Sequence, residues 1–148
     1  MPRRPPVALA LLLAAACTSA PAPRPEARPT APVTVPGVTP PAREQACARL
    51  VSALPVTLGS AARRTVADPA AAAWGEPPVT LRCGVPAGSS SDEPYAFDGV
   101  RWVVHDDGAT NRWTTVGPGT QVRVVVPDAY DAQGELLIAL SRSLTTTR

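Results

Sequence analysis

Lysine is absent from this chain; all 14 of its basic residues are arginines, set against 12 acidic ones. Histidine occurs once, as His105, and phenylalanine and methionine once each. The missing lysine points to codon bias in a GC-rich genome rather than to a ligand. A single histidine confines any catalytic triad to His105 and is a poor start for a zinc ligand set, and no serine stands in a Gly-x-Ser-x-Gly turn. Setting aside Arg3 and Arg4, which open a targeting segment, 12 basic residues balance 12 acidic ones. That balance lacks the basic excess of a nucleic-acid binder and argues against that class. The N-terminal apolar run, Val7 to Ala16, is too short to cross a bilayer, which takes about 20 residues.

What is present first is an export signal. Arg3-Arg4, the apolar run and Ala14-Ala15-Ala16-Cys17 form the charged, apolar and small-residue regions of a secretory leader. Small residues ending at a cysteine resemble a bacterial lipobox, with Ala14 where Leu is usual. The resemblance implies that Cys17 is diacylated and becomes the mature N-terminus, anchoring the protein on the outer face of the cytoplasmic membrane. If the lipobox is not used, the protein is secreted. Cys47 and Cys83 then remain as an even pair in an oxidising compartment, where a disulfide is the default.

With 148 residues there is room for one domain. The expected organisation is a signal peptide and lipobox over 1–17, a Pro-rich tether over 18–41 and a single domain over 42–148. Eight prolines and only three charges lie between Thr18 and Pro41, a composition that cannot bury a core. Fully extended at about 3.1 Å per residue, such a tether reaches ~75 Å.

Within the domain, Pro41 to Leu54 reads as a helix. Cys47, Leu50, Val51 and Leu54 share one face, Thr39 is the expected N-cap, and Pro55 ends the helix. Val79, Leu81, Cys83 and Val85 alternate with Thr80, Arg82 and Gly84, the pattern of a half-buried strand bounded by prolines. Two independent periodicities therefore aim Cys47 and Cys83 into one core. A bond between them closes a loop of about 37 residues, worth on the order of 4 kcal/mol in the chain-entropy model. Arg63 to Val66 reads as a short strand, Pro69 to Trp74 as a helical turn, and Ala87 to Pro94 as a flexible polar loop.

From Val100 the pattern is a β-meander. An Asp107-Gly108 hairpin turn sets Trp102 opposite Trp113. A type II turn at Pro118-Gly119 sets Trp113 opposite Val124 and Thr115 opposite Val122. Trp102, Trp113, Val122, Val124 and Val126 then face inward. The outer face carries Arg101, Thr114 and Arg123 in one row and Val103, Arg112 and Val125 in the next. Asp131 is the expected cap of a last helix with an apolar stripe of Leu136, Leu137, Leu140 and Leu144. The predicted fold is α+β: a four- to five-stranded, mainly antiparallel sheet with an N-terminal and a C-terminal helix packed on one face.

Four blocks resemble a known family. They are Cys47 to Pro55, Ala73-Trp-Gly-Glu-Pro-Pro-Val-Thr-Leu-Arg-Cys-Gly-Val-Pro86, Gly99 to Trp102, and Val124-Val-Val-Pro-Asp-Ala-Tyr130. Together they are similar to the actinobacterial domain-of-unknown-function family numbered 3515, over about residues 42 to 145, most specifically in the Trp-Gly to Cys-Gly-Val-Pro block. The resemblance implies a secreted protein or lipoprotein, and supplies no activity and no catalytic residues. The resemblance also brings the family's association with a gene neighbourhood that includes a D-alanine–D-alanine ligase, which implies an envelope role.

Candidate chemistry is sparse. His105-Asp106-Asp107 falls at a hairpin turn, where aspartate serves turn geometry, and Asp92-Glu93 lies in a Ser-rich loop without a third ligand. No metal site and no cofactor are expected. Trp74, Trp102 and Trp113 could line a glycan or lipid groove, but their positions favour core packing. The outer face of Arg101, Arg112, Arg123, Val103 and Val125 is either a seat for an anionic envelope component or membrane-protein partner, or a solvated sheet face. The expected function is that of a non-catalytic envelope binding or accessory module. A small-ligand carrier and, further off, a hydrolase are the alternatives.

The anchor is directly testable. Wild type is expected to fractionate with membranes and the Cys17→Ser variant to become soluble. An unmodified N-terminus at another residue, read by mass spectrometry, overturns the anchor.

Overall fold

The computed structural model describes residues 31–89 and 93–146. Cys17, the expected leader and the tether as far as residue 30 lie outside the described residues, as does Asp92. The described chain begins with residues 31–40, then a 3₁₀ turn (Pro41–Arg43) leading into α1 (Glu44–Ser52). Four strands follow: β1 (Thr57–Leu58), β2 (Ala61–Arg64), β3 (Ala71–Trp74) and β4 (Val79–Cys83). Four more come after the polar loop: β5 (Tyr95–Phe97), β6 (Val100–Asp106), β7 (Thr110–Val116) and β8 (Val122–Pro127). Helix α2 (Gln133–Thr146) ends the fold.

The fold is α+β, but its sheet has eight strands rather than four or five, in the order β1-β2-β3-β4-β8-β7-β6-β5. All neighbours are antiparallel. Each half is a meander, and the halves join where β4 pairs with β8, Leu81 opposite Val124 and Cys83 opposite Val122. The strands that periodicity misses have physical reasons. β1 and β5 are edge strands of two and three residues, too short to show alternation. β3 replaces the expected helical turn. Its alanines favour helix intrinsically, yet all four residues are buried, and a strand buried on both faces reads as an unbroken apolar run. Ala72 and Trp74 join the core, while Ala71 and Ala73 stand beside Arg82 and Thr80 on the outer face.

One hydrophobic cluster unites Cys47, Val51 and Leu54, the inner residues of the sheet, and Leu136, Leu137, Leu140 and Leu144 of α2. The three tryptophans belong to it, and each indole N–H has a partner. Trp74 donates to the Pro55 carbonyl, Trp102 to Ser141 Oγ and Trp113 to Gln133 Oε1. They are core residues, not the lining of a glycan groove. Arg63 closes the end of α1: its guanidinium donates to the Val51 and Leu54 carbonyls and stacks over Trp74. Burial lowers its pKa.

Several local expectations shift. The N-terminal helix opens with a 3₁₀ turn, and Thr39 does not cap it, because Thr39 Oγ1 donates to the Cys83 carbonyl at 2.8 Å. The first turn of α2 closes on the Ala132 carbonyl rather than at Asp131. The β7–β8 register is as expected, with Trp113 opposite Val124. The β6–β7 register is displaced by two residues, pairing Trp102 with Thr115 and Val104 with Trp113, since the tight turn is Gly108-Ala109 and not Asp107-Gly108. An even slip moves neighbours but keeps every side chain on its face. Trp102, Trp113, Val122, Val124 and Val126 accordingly all point inward and are buried.

Cys47 and Cys83 are bonded, 36 residues apart in sequence, and tie α1 to β4. Gly84 follows with φ 80°, and a Cβ there would stand 2.7 Å from Thr39 Cγ2 and 3.3 Å from Cys47 Sγ. Only glycine lets the chain turn this close to the disulfide. Removing a native disulfide typically costs about 2–5 kcal/mol. Replacing both cysteines by Ala is therefore expected to lower the melting temperature by about 10 °C or more, at roughly 4–8 °C per kcal/mol for a domain this size. Thiol titration of the exported, non-reduced protein checks the bond: reaction of Cys47 and Cys83 would refute it.

Candidate functional site

The outer sheet face is where the structure departs most from a plain solvated surface. Residues 31–39, expected to belong to the tether, lie across it as a strap. The Val33 N–H donates to the Thr65 carbonyl at 2.9 Å, and Arg64 Nη2 donates to the Ala31 carbonyl. Arg82 donates one Nη to the Val35 carbonyl and the other to Asp68. Val35 and Thr39 are buried, so the packed domain starts before residue 42. Passing from Thr65 beside β2 to Arg82 on β4, the strap crosses β3, whose outward Ala71 and Ala73 leave room for it.

A second segment covers the face from the other side. After Cys83 the chain runs over β8 and β7, its Gly84 N–H donating to the Gln121 carbonyl and its Gly88 N–H to the Thr115 carbonyl. A Cβ on Gly88 would stand 2.4 Å from Val103 Cγ2, so this crossing too requires glycine. Val103 and Thr114 are buried beneath it.

Between strap and crossing lies a cleft of about 470 Å³. Its floor consists of cross-strand neighbours: Arg82 on β4 faces Arg123 on β8, and Thr80 faces Val125, which in turn faces Arg112 on β7. Val35, Pro36, Val38, Val85 and Pro86 form apolar walls, and Asp107 stands at the turn end. Val38 is 86 % exposed at the rim.

The five residues expected on a binding face are thus divided. Arg112, Arg123 and Val125 line the cleft, Val103 is buried beneath the crossing, and Arg101 lies exposed opposite Val116, away from the cleft. The expected rows change with the register: Val103, Thr114, Arg123 and Arg82 make one, and His105, Arg112, Val125 and Thr80 the next. Sequence reading missed Arg82, whose place on the outer side of β4 was legible but whose burial was not. It is 5 % exposed.

The arginines differ in how their charge is met. Arg82 is held by Asp68 and the Val35 carbonyl. Arg112 Nη2 donates to Asp107 Oδ1 at 3.0 Å, an oxygen that also lies 3.2 Å from His105 Nε2. The Arg123 side chain makes no hydrogen bond or ion pair among the described residues. The Nε atoms of Arg82 and Arg123 are buried without a partner. Like charges directly opposite on neighbouring strands repel, and a buried unmet donor costs about 1–3 kcal/mol. The floor is thus electrostatically unfinished at Arg123.

Elsewhere the candidate chemistry is structural. Asp106 accepts the Gly108 N–H at 2.7 Å and so shapes the turn. Among the described residues no cluster of three or more His, Cys, Asp or Glu side chains could hold a metal. A groove of about 550 Å³ lies between α1 and α2 over the sheet end, lined by Ala46, Arg49, Leu50, Thr115, Val122 and Leu144. It is larger than the cleft, but its floor is internally satisfied: Thr115 Oγ1 donates to Gln121 Oε1 at 2.7 Å and accepts the Val122 N–H at 3.0 Å. No helix among the described residues is long and apolar enough to cross a membrane.

Comparison with known proteins adds a family and little else. The model of a family described as "Protein of unknown function (DUF3515)" matches residues 6–147. No curated protein and no solved structure matches the chain.

The Arg82–Asp68 pair gives the site a pH signature. The Arg82 hydrogen bond, then the Ala70 N–H, lower the Asp68 pKa, with burial opposing them. A carboxylate with a depressed folded pKa stabilises fully above its unfolded value, about 3.9, and loses that contribution as pH falls through the folded value. Asp68→Asn is expected to cost roughly 1–2 kcal/mol near neutral pH, a modest figure because the Asp68 side chain is 42 % exposed. The gap between wild type and variant should close below about pH 4. Urea melts across pH 3–7 measure it, and a gap independent of pH would refute the pairing.

Proposed function

Because the chain belongs to DUF3515, a family of unknown function, we propose its role from the cleft itself: an envelope-tethered, non-catalytic module that binds an anionic group on its outer sheet face. The observation that carries this reading is Arg123, which lines the cleft beside Arg82 and Arg112 and has no partner among the described residues. Guanidinium groups hold their charge at any physiological pH and match carboxylate or phosphate oxygens in a fork, which suits binding rather than proton transfer. The sole histidine sits at the turn, two-thirds exposed and beside Asp107, as part of the rim. The Cys47–Cys83 bond supports an oxidising, extracytoplasmic setting. Cys17, acylated, would hold the module at the outer face of the cytoplasmic membrane, within reach of envelope components and membrane-protein partners.

A second reading has its own observation. The apolar groove between α1 and α2 suits a small apolar ligand, and in that case the protein is a carrier.

Photocrosslinking in native envelopes separates the two. A crosslinker placed at Val38 should capture a component in wild type and in Arg101→Glu, and lose it in Arg123→Glu. Arg101→Glu is expected to change stability by about 0.5 kcal/mol or less, as for other exposed substitutions without partners, and a thermal melt establishes that Arg123→Glu is folded. Equal capture with and without Arg123 overturns the cleft reading. Capture only from a probe at Leu50 favours the carrier.

A further inference from the structure

Resting on that reading, we infer the chemical class of the ligand: a monocarboxylate carried on an apolar body. The charge of the cleft sets the first half. Arg82, Arg112 and Arg123 contribute three guanidinium groups, and Asp68 and Asp107 meet two of them, leaving a single positive charge centred on Arg123. One negative charge completes the site. A doubly charged phosphate monoester overfills it and meets the Asp107 carboxylate at the turn end.

Geometry and lining set the second half. A carboxylate is planar and presents two oxygens to one guanidinium as a parallel pair of hydrogen bonds, which needs only one free arginine. Arg123 is that arginine; Arg82 and Arg112 are already engaged. The same cleft is lined by Val35, Pro36, Val38, Val85, Pro86 and Val125, which carry no side-chain hydrogen-bonding group, with Thr80 its one uncharged polar side chain. An anion with a polar body leaves that apolar lining unused and loses its own water. An anion with an apolar body buries both the body and the exposed Val38. A phosphodiester carries the right charge, but its two ester arms flank the anionic oxygens and must both be accommodated beside the same guanidinium.

The test uses the full chain with its disulfide intact and four probes: acetate, hexanoate, diethyl phosphate and hexylamine. The Arg123 Nε–H resonance and calorimetry are the readouts. Hexanoate is expected to shift that resonance and to bind about tenfold or more tightly than acetate, its added methylenes leaving water against the valine and proline wall. Hexylamine is expected to leave the resonance unmoved. Arg123→Gln should weaken hexanoate about tenfold or more. Since the Arg123 side chain has no partner in the described fold and its Nε is a buried unmet donor, the variant is expected to melt at or above the wild-type temperature. Val38→Ser should lower the hexanoate-to-acetate ratio without changing acetate.

Diethyl phosphate binding as tightly as hexanoate, or acetate matching hexanoate, overturns the ligand class and leaves an anion site standing. If no anion moves the Arg123 resonance, both the class and the anion-binding reading fall.

Discussion

Everything in this domain is referred to β4. Cys83 bonds it to α1, Leu81 and Cys83 pair it with β8, and Thr39 closes on the Cys83 carbonyl. Without the β4–β8 pairing there are two four-stranded meanders, each with one apolar face and an open edge. Joined, they share a core that α1 and α2 cover together. Few aromatic side chains contribute to that core, and valine and leucine make up most of its members. A domain of this kind has a narrow stability margin, so the covalent tie between its first helix and its central strand carries unusual weight.

The same strand also builds the opposite face. Alternation sends Leu81 and Cys83 into the core and Thr80 and Arg82 outward, so the residue beside the disulfide cysteine is a guanidinium. On an open sheet Arg82 would be solvated. Here the strap covers it, and Asp68 with the Val35 carbonyl replaces the lost water. Arg82 in turn holds the strap down. Structural pairing of one arginine thereby shapes the wall against which the next, Arg123, is left unmatched. A binding site can arise in this way from a covering segment rather than from a loop at a strand end.

Much of the core was legible because its signals are local. Period-two alternation located β4, β6, β7 and β8, the 3.6-residue period located both helices, and their agreement on Cys47 and Cys83 gave the disulfide. The first hairpin was misplaced by two residues, yet parity kept Trp102, Trp113 and the outward arginines on their proper faces. The failures have a common cause. Ala70 to Ala73 look helical because alanine's preference is intrinsic, and only contact on both faces makes them a strand. Residues 31–39 look like linker because they run on from a Pro-rich segment and carry Pro32, Pro36 and Gly37, while their backbone partners, Arg64, Thr65 and Arg82, are all distant in sequence. Arg82 looks solvated because nothing local announces a cover. Long-range coverage leaves no periodicity in a sequence.

That cover also places the proposed site with respect to the proposed anchor. The strap that walls the cleft is the direct continuation of the Pro-rich segment behind Cys17, so the cleft lies at the tethered end of the domain in sequence. From residue 17 to residue 31 an extended, proline-rich chain spans at most ~45 Å at about 3.1 Å per residue. The reach inferred for a tether ending at residue 41 was longer by about ten residues, which the fold has drawn back onto its own sheet. With Cys17 acylated as proposed, a cleft held this close to the anchor would sample the layer next to the membrane rather than the outer envelope. Pulling on the tether acts first on the strap, through the Ala31, Val33 and Val35 backbone bonds, and only then on the sheet. Under the proposed anchoring, cleft geometry and tethering would be mechanically one feature, because the segment drawn back onto the sheet is also the one that walls the cleft.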